Sequence, residues 1–540
     1  MDNVFDDSKN TTNIVFSSEA RKELFSGLTL AANAVGCTLG PRGKTVLIQQ
    51  ANNASPLITK DGVTVAKSIK LKHPIKRMGA ELICEAASHT NDVAGDGTTT
   101  STILTHAIVS MGLKLLESNH NSLALCKGIE LATSCVVNAL KKNAKQLSTS
   151  EEVAQVATVS ANGDVKIGEL IARAIDKVGR DGIVTVEDAK GTTTSLEIVE
   201  GMQLDRGYLS PYFVTNTDKM NVVYNDAYLL VTDKKLNSLK DLIPILESVV
   251  KTQKSLLIIA EDVEGDALQG LVLNRVKSNL SVVAIKAPGY GLHRDELLND
   301  ICVLTGAKLV SSATGLSLSS VSLSDLGKIK KLVVDSKSTT LVGTGSTKEA
   351  LNKHVEDLRS QLQDVTINVE QITKLKTRIA KLASGIAVIK VGGSTELEMI
   401  EKKYRIEDAL NATKAAAEEG IVPGGGMALY ATIETVKNEL KDKNLSNDEI
   451  AGVDTVLNAC LAPMTKIVEN AGVNAGVVVS ELRRSNDKDL GYNAATGEYV
   501  NMIQAGVIDP VKVTRTALEH ASSVALTFLS LNAVIHNEEK

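Results

Sequence analysis

The hydrophobic period of this chain changes twice, and that limits its architecture more than any single motif does. From residue 18 to about residue 143, apolar residues recur at three- and four-residue spacing in an Ala-rich helical pattern. The loop Thr38-Leu39-Gly40-Pro41-Arg42-Gly43 and a short strand at 45–49 interrupt it. The middle of the chain then switches to short apolar runs at 228–232, 255–260, 281–286 and 308–311. Helical patterns around 239–250, 265–276 and 294–304 separate these runs, and such alternation predicts a parallel sheet flanked by helices. Residues 348–382 form a charged amphipathic stretch, either one helix or a hairpin, and from about residue 407 Ala-rich helices return. Glycines near Gly201 and Gly385 bracket the middle zone as hinges or as plain turns. The expected fold is multidomain α/β, with mostly helical zones toward both chain ends.

Composition narrows the possibilities. At 540 residues the chain is long enough for two to four domains. It has no Trp and five Phe, so its cores must be built from Val, Ile, Leu and Ala. A net charge of −5 without a basic stripe excludes nucleic acid or an anionic membrane as the main partner. The six cysteines are scattered with no C-x-x-C pair and the histidines are isolated, which fits a reducing compartment and no zinc centre. Residues 1–12 are acidic and polar, without a signal peptide's apolar core or an Arg-rich transit pattern. Residues 521–535 are too short and too interrupted by Ser and Asn to span a bilayer. The expected location is the cytoplasm, or a host's cytoplasm if the chain is viral.

The chemistry concentrates in Gly95-Asp96-Gly97-Thr98-Thr99-Thr100, directly before a helical pattern whose face carries Leu104, Ala107, Ile108, Met111 and Leu115. Free amides and hydroxyls at a helix start form a phosphate cradle, and the glycines allow close backbone approach. An aspartate there would repel a phosphate unless a cation stood between them, so Asp96 points to a Mg²⁺-nucleotide. Alone, the run also reads as an N-cap and turn. Pro423-Gly424-Gly425-Gly426 reads as a flexible linker or as backbone brought close to a ligand. Asp61 reads as a turn residue before a strand, and Asp408 as a solvated residue of a helix starting near Arg405.

In combination these segments are specific. Thr38–Gly43, Thr59-Lys60-Asp61-Gly62-Val63, Gly95–Thr100, Ser160-Ala161-Asn162, Gly207-Tyr208-Leu209-Ser210-Pro211-Tyr212-Phe213, Lys286-Ala287-Pro288-Gly289-Tyr290-Gly291, Gly491-Tyr492-Asn493-Ala494-Ala495-Thr496 and Asp509-Pro510 are all present. With them the chain closely resembles the group I chaperonins, the bacterial GroEL family, from about residue 16 to about residue 534. The resemblance implies an equatorial ATP-binding domain (1–142 and 420–540), an intermediate hinge domain (143–199 and 386–419) and an apical domain (200–385). It implies that Thr38, Leu39, Gly40, Pro41, Lys60, Gly97, Thr98, Thr99 and Thr100 hold nucleotide and that Asp96 binds Mg²⁺. K⁺ is a further cation compatible with it. Gly425, Asn493, Ala494, Ala495, Val507 and Asp509 would surround the adenosine, while Asp61 and Asp408 position and activate water. Tyr208, Tyr212, Phe213, Ile243, Leu246, Leu268, Val272 and Leu273 match a groove for unfolded polypeptides and a lid co-chaperonin. The implied assembly is a homo-oligomeric ring of seven subunits, and the implied activity is ATP-driven protein folding.

Three departures from the family stand out. The sequence ends His536-Asn537-Glu538-Glu539-Lys540, without a Gly-Gly-Met-rich tail. Thr465 and Asn474 replace an Arg and a Glu that pair between rings in double-ring relatives, which implies a weakened or absent double ring. Leu292-His293-Arg294 replaces an Arg-rich run, which implies less salt bridging in the apical part. A holdase or scaffold that keeps the fold is the competing reading, and three acidic residues matching the hydrolytic set weigh against it. A small-molecule kinase is disfavoured, because no G-x-x-x-x-G-K-[ST] run stands between a strand and a helix.

Overall fold

Helices that cross on glycine organise the first of two compact units. The computed structural model describes residues 12–537 apart from 51–55, 162, 180–181, 190, 218, 278–279, 312, 346–347, 363–368, 384, 442, 486 and 488–489. Asn162, residues 1–11 and residues 538–540, which the sequence reading used, lie outside the described residues. Unit one comprises Met1–Arg173, Asp188–Thr194 and Val391–Lys540; unit two comprises Ala174–Glu187 and Ser195–Lys390. The segments expected to form a small hinge domain are shared between the two.

In unit one, helices Ser17–Gly36 and Pro74–Ala94 approach so closely that a Cβ on Gly27 would lie 1.8 Å from the Lys76 carbonyl oxygen. Gly79 makes the reciprocal contact, 2.0 Å from the Leu24 oxygen. Helices Ser122–Lys142 and Asn447–Ala459 repeat the device through Gly128 and Gly452. Close crossing compensates for the scarcity of aromatics, because Ala, Val, Ile and Leu then fill the space between backbones. Thr98–Glu117 buries Leu104, Ala107 and Ile108 in this core, while Met111 and Leu115 are half-buried at its edge. Ser122–Lys142 is long and apolar enough to cross a membrane. Its Leu125, Ile129, Val136 and Leu140 are instead core residues, which accounts for its composition.

Helix Glu396–Glu419 begins well before the expected start near Arg405, with the Thr395 hydroxyl accepting from the Glu398 amide at 3.2 Å. Asp408 therefore sits mid-helix, and helix Ser150–Ser160 packs along the same helix. Asp61 is not a turn residue before a strand. It caps helix Gly62–Ser68, with its carboxylate accepting the Val63 and Thr64 amides.

Unit two is built on a seven-stranded sheet, and it is mixed rather than parallel. Its order is Val282–Lys286, Leu256–Ala260, Val222–Thr232, Gly327–Val334, Thr339–Thr344 and Gly201–Leu204, with Leu309–Val310 also alongside Val222–Thr232. The four strands anticipated from apolar runs pair in parallel, and the remaining three are antiparallel. Physically, only the fully buried strands read as continuous apolar runs. Gly327–Val334 alternates buried residues with lysines and escapes that signal. Its hairpin is closed by Asp335, whose carboxylate accepts the Lys337 and Ser338 amides at 2.6 Å each. Gly201 is no hinge: it is paired within its strand, where a Cβ would meet the Leu341 oxygen at 2.3 Å. Gly385 is a positive-φ turn.

The amphipathic stretch forms two helices, Lys348–Gln361 and Val369–Ala383. Both converge on Asp300 of helix Gly291–Thr305, a residue with no solvent exposure. Arg378 grips the carboxylate through two hydrogen bonds of 2.7 and 2.8 Å, and His354 adds a third at 2.7 Å. Arg294 bridges Glu261 at 2.8 Å and Lys286 bridges Asp262 at 2.5 Å. Ion pairs, which the Leu292-His293-Arg294 departure put in doubt, are thus present in unit two. Removing one partner of a buried ion pair strands the other. Asp300→Ala should destabilise unit two by about 3–5 kcal/mol in denaturant unfolding. A loss below about 1 kcal/mol would show that Asp300 is not its anchor.

Candidate nucleotide-binding site

Every residue that the sequence reading assigned to nucleotide, metal or water activation lines one cavity in unit one, of about 410 Å³. Thr38, Leu39, Gly40 and Pro41 come from the loop after helix Ser17–Gly36. That loop is fixed by the Asn470 side-chain amide, which donates to the Gly36 and Leu39 oxygens at 3.0 and 2.9 Å. Lys60 and Asp61 precede helix Gly62–Ser68. Asp96 and Gly97 lead into helix Thr98–Glu117, whose first internally bonded amide is Ser101, to Gly97 oxygen at 2.9 Å. The amides of Thr98, Thr99 and Thr100 therefore have no intrahelical acceptor. Gly97 has φ +83°, and a Cβ there would lie 2.7 Å from Val513.

The Gly424–Gly426 run is a tight turn, not a flexible linker. Strand Ile421–Pro423 pairs antiparallel with Ile508–Pro510, placing Val422 opposite Asp509, and the Gly424 amide donates to the Val507 oxygen at 2.8 Å. Gly425, Val507 and Asp509 thus share one wall. Asn493, Ala494 and Ala495 follow strand Leu490–Asn493, where the Asn493 side-chain oxygen accepts the Ala495 amide at 3.0 Å. Asp408 enters from the middle of Glu396–Glu419.

The electrostatics are lopsided. Asp61, Asp96, Glu401, Asp408 and Asp509 line the cavity against only Lys60 and Arg405. Arg405 is engaged by Glu401 at 2.7 Å and by Asp164 at 3.5 Å, and its Nε is buried without a bonding partner. Burial pushes the Asp96 carboxyl above its ordinary range, aided by the charge of Asp61 and opposed by the Gly97 amide and Ser160 hydroxyl. Burial, and then the charge of Asp96, push Asp509 up to about 7. Both residues are half-buried and line the cavity.

Such an arrangement fits a bound cation. Among the described residues no group of three or more His, Cys, Asp or Glu is placed to hold a metal. A cation at Asp96 would therefore complete its shell with water and with oxygens of a second ligand, as Mg²⁺ does with phosphates.

Several lining residues carried no expected role: Thr158, Ser160, Glu401, Tyr404, Arg405 and Tyr492. Arg405 and Tyr404 stand one turn before Asp408, so helical period could have found them. Ser160 and Tyr492 were inside recognised motifs.

The expected apical groove in unit two survives only in part. Tyr212, Ile243 and Leu273 are exposed, and Tyr208, Leu268 and Val272 are half-buried. Phe213 and Leu246 are not available at the surface. Phe213, the last residue of the 3₁₀ turn Pro211–Phe213, is 0% exposed in the sheet core, and Leu246 faces the same core. Val250 and Val276, one turn beyond the expected positions, are exposed instead, as are Tyr290 and Leu292.

Unit one thus holds a cavity lined by acidic residues, and unit two carries exposed aliphatic side chains. The sequence matches the model of the TCP-1/cpn60 chaperonin family over residues 31–539, and the chain belongs to that family. The structure is similar to the chaperonin gp146 of bacteriophage EL 2 (Pseudomonas aeruginosa), crystallised in the presence of ATP-BeFx. Crystal form II aligns with a TM-score of 0.67 at 23% identity, covering 97% of this chain and 99% of that one. Crystal form I gives a TM-score of 0.62 at the same identity and coverage.

The raised carboxyls predict a definite pH dependence. Between its ordinary value of 3.8 and about 7, folded protein holds a proton at Asp509 that the unfolded chain has released. Stability of the nucleotide-free protein must then fall as pH rises through that window, by at most about 1.4 kcal/mol per unit from this group. Asp509→Asn should melt above wild type at pH 8, with the gap closing toward pH 5. Equal gaps at both pH values would show that Asp509 carries no such burden.

Proposed function

We propose that this chain is an ATP-dependent folding chaperone. The observation that carries the reading is the convergence of Asp61, Asp96, Asp408 and Asp509 with the Thr98–Thr100 helix start in one cavity. Chaperonins in general are ATPases with a chaperone role, and the finer assignments below are this chain's own.

Thr38–Pro41, Lys60 and the amides and hydroxyls of Gly97–Thr100 hold the phosphates, while Asp96 takes Mg²⁺. When bound, Mg²⁺ and the triphosphate supply charge neutralisation and a good leaving group, the main needs of phosphoryl transfer. Asp61 already accepts the Val63 and Thr64 amides and the Thr64 hydroxyl, the last at 2.5 Å, which fixes its carboxylate and suits it to orienting water. Asp408 is the general base: its carboxylate accepts the water proton, and its long helix lets it move as a unit. Gly425, Asn493, Ala494, Ala495, Val507 and Asp509 surround the nucleoside.

In the proposed three-domain division, Tyr212, Ile243, Val250, Leu273 and Val276 capture apolar segments of unfolded chains. Aliphatic side chains without polar partners suit unselective capture. The assembly is a homo-oligomeric ring, with the lid co-chaperonin as a candidate partner and the cytoplasm as location. Asn474 is spent locally, its side-chain oxygen accepting the Gly476 amide at 2.9 Å. That supports a weakened double ring. Native mass spectra dominated by two-ring particles, with and without ATP, would contradict it.

The folding cycle is tested by refolding a denatured, aggregation-prone client with ATP. Wild type should restore activity only with ATP, and Asp408→Ala should lose about 10²–10⁴-fold in hydrolysis while still binding ATP. Suppressed aggregation with no ATP-dependent recovery, lid protein supplied, would mark a holdase instead.

A further inference from the structure

We propose that unit two binds an extended polypeptide segment of mixed charge along the free edge of strand Ser195–Val199. The site is a second cavity, and it shares no lining residue with the exposed aliphatic face assigned to client capture.

The cavity has a volume of about 710 Å³, within the range of about 300–1,000 Å³ common to ligand pockets. Ile198, Val199 and Glu200 make one wall. Side chains of a strand alternate between its faces, so three consecutive residues on one wall mean that the backbone edge borders the cavity. Among the described residues, Ser195–Val199 pairs only with Ile386–Val391, as the outer strand of a three-stranded sheet. Its other edge offers backbone donors and acceptors to a further strand.

A second wall is one stripe of helix Lys348–Gln361, running from Leu351 and Val355 to Glu356 and Arg359. Leu351 and Val355 are buried and form an apolar floor with Leu382, whereas Glu356 and Arg359 are exposed. Lys330 enters from strand Gly327–Val334, and Gly343 makes its place. Gly343 has φ +64°, and a Cβ there would lie 2.8 Å from Lys330 Cδ, so glycine gives the lysine stem room. The Gly343 amide donates to the Glu200 oxygen at 2.8 Å, which ties this strand to the first wall.

The charged groups around the cavity are unspent. Among the described residues no ion pair or side-chain hydrogen bond engages Glu200, Lys330, Glu356 or Arg359. Lys331, next in the same strand as Lys330, is by contrast paired with Glu187 at 2.9 Å. Two cations and two carboxylates cancel in net charge, so the site selects neither a simple anion nor a simple cation. They suit a strand that alternates apolar residues, for the floor, with residues of both signs. Such a segment also pairs with the free backbone edge, along which a small zwitterion cannot extend.

The test is fluorescence anisotropy of a labelled, monomeric nonapeptide alternating Val with Lys and Glu, titrated with the full chain. Wild type should bind it, and Arg359→Glu, at an exposed position, should weaken binding by roughly tenfold. A companion peptide with Lys in place of Glu should recover that affinity on Arg359→Glu, which a misfolded variant could not do. Methylating alternate backbone nitrogens of the peptide should cost roughly tenfold or more, because main-chain pairing supplies the affinity of strand addition. Leu273→Ser, in the exposed aliphatic face, should leave binding unchanged. No binding by wild type, equal binding of the methylated peptide, or a loss confined to Leu273→Ser would overturn the proposal. Displacement of the peptide by free lysine or glutamate would also overturn it, assigning the cavity to a small zwitterion.

Discussion

The burial of several neighbouring carboxyls away from bulk water is the constraint on which the rest of this structure depends. Burial raises the proton affinity of both Asp96 and Asp509, with the charge of Asp61 adding to it at Asp96 and the charge of Asp96 adding to it at Asp509. Isolated charges in such surroundings cost several kcal/mol each unless paired. The paired helices, the antiparallel contact that brings Asp509 beside the glycine turn, and the Asn470 clamp on the Thr38 loop all hold these groups together against that cost. A site strained this way is stable without ligand only through the glycine-crossed helical core around it. It is relieved when positive charge arrives.

The same logic separates the two buried acidic centres. Asp300 in unit two is held by Arg378 and His354 through three hydrogen bonds and serves packing. Asp96 and Asp509 line a cavity with little cationic support. Burial alone does not distinguish them; the presence of a dedicated cation does.

Much of the nucleotide site was legible in the sequence because it is made of short segments whose chemistry is local. Gly-Asp-Gly-Thr-Thr-Thr builds its own turn and helix start, and Asp61 builds its own cap. Their meeting was legible only through family resemblance, since nothing in residues 96, 408 or 509 alone encodes their proximity. Sheet topology was half legible. Fully buried parallel strands announce themselves as apolar runs, whereas Gly327–Val334 hides its buried face among alternating lysines. The client surface was read least well. The resemblance placed Phe213 and Leu246 in the groove, and both are buried, while periodicity cannot tell which side of an all-aliphatic helix faces a sheet and Val250 and Val276 are exposed. The Glu396 helix start was obscured because Glu, Lys and Met between 396 and 405 carry little apolar period.

If the carboxylate repulsion is what the site is built to relieve, binding of Mg²⁺-nucleotide must expel protons that the empty cavity retains. Calorimetric titration of Mg²⁺-ADP near pH 6.5, in two buffers of different ionisation enthalpy, measures this directly. Net proton release that disappears in Asp509→Asn is the predicted result. Binding with no proton release, or with uptake, would contradict the account.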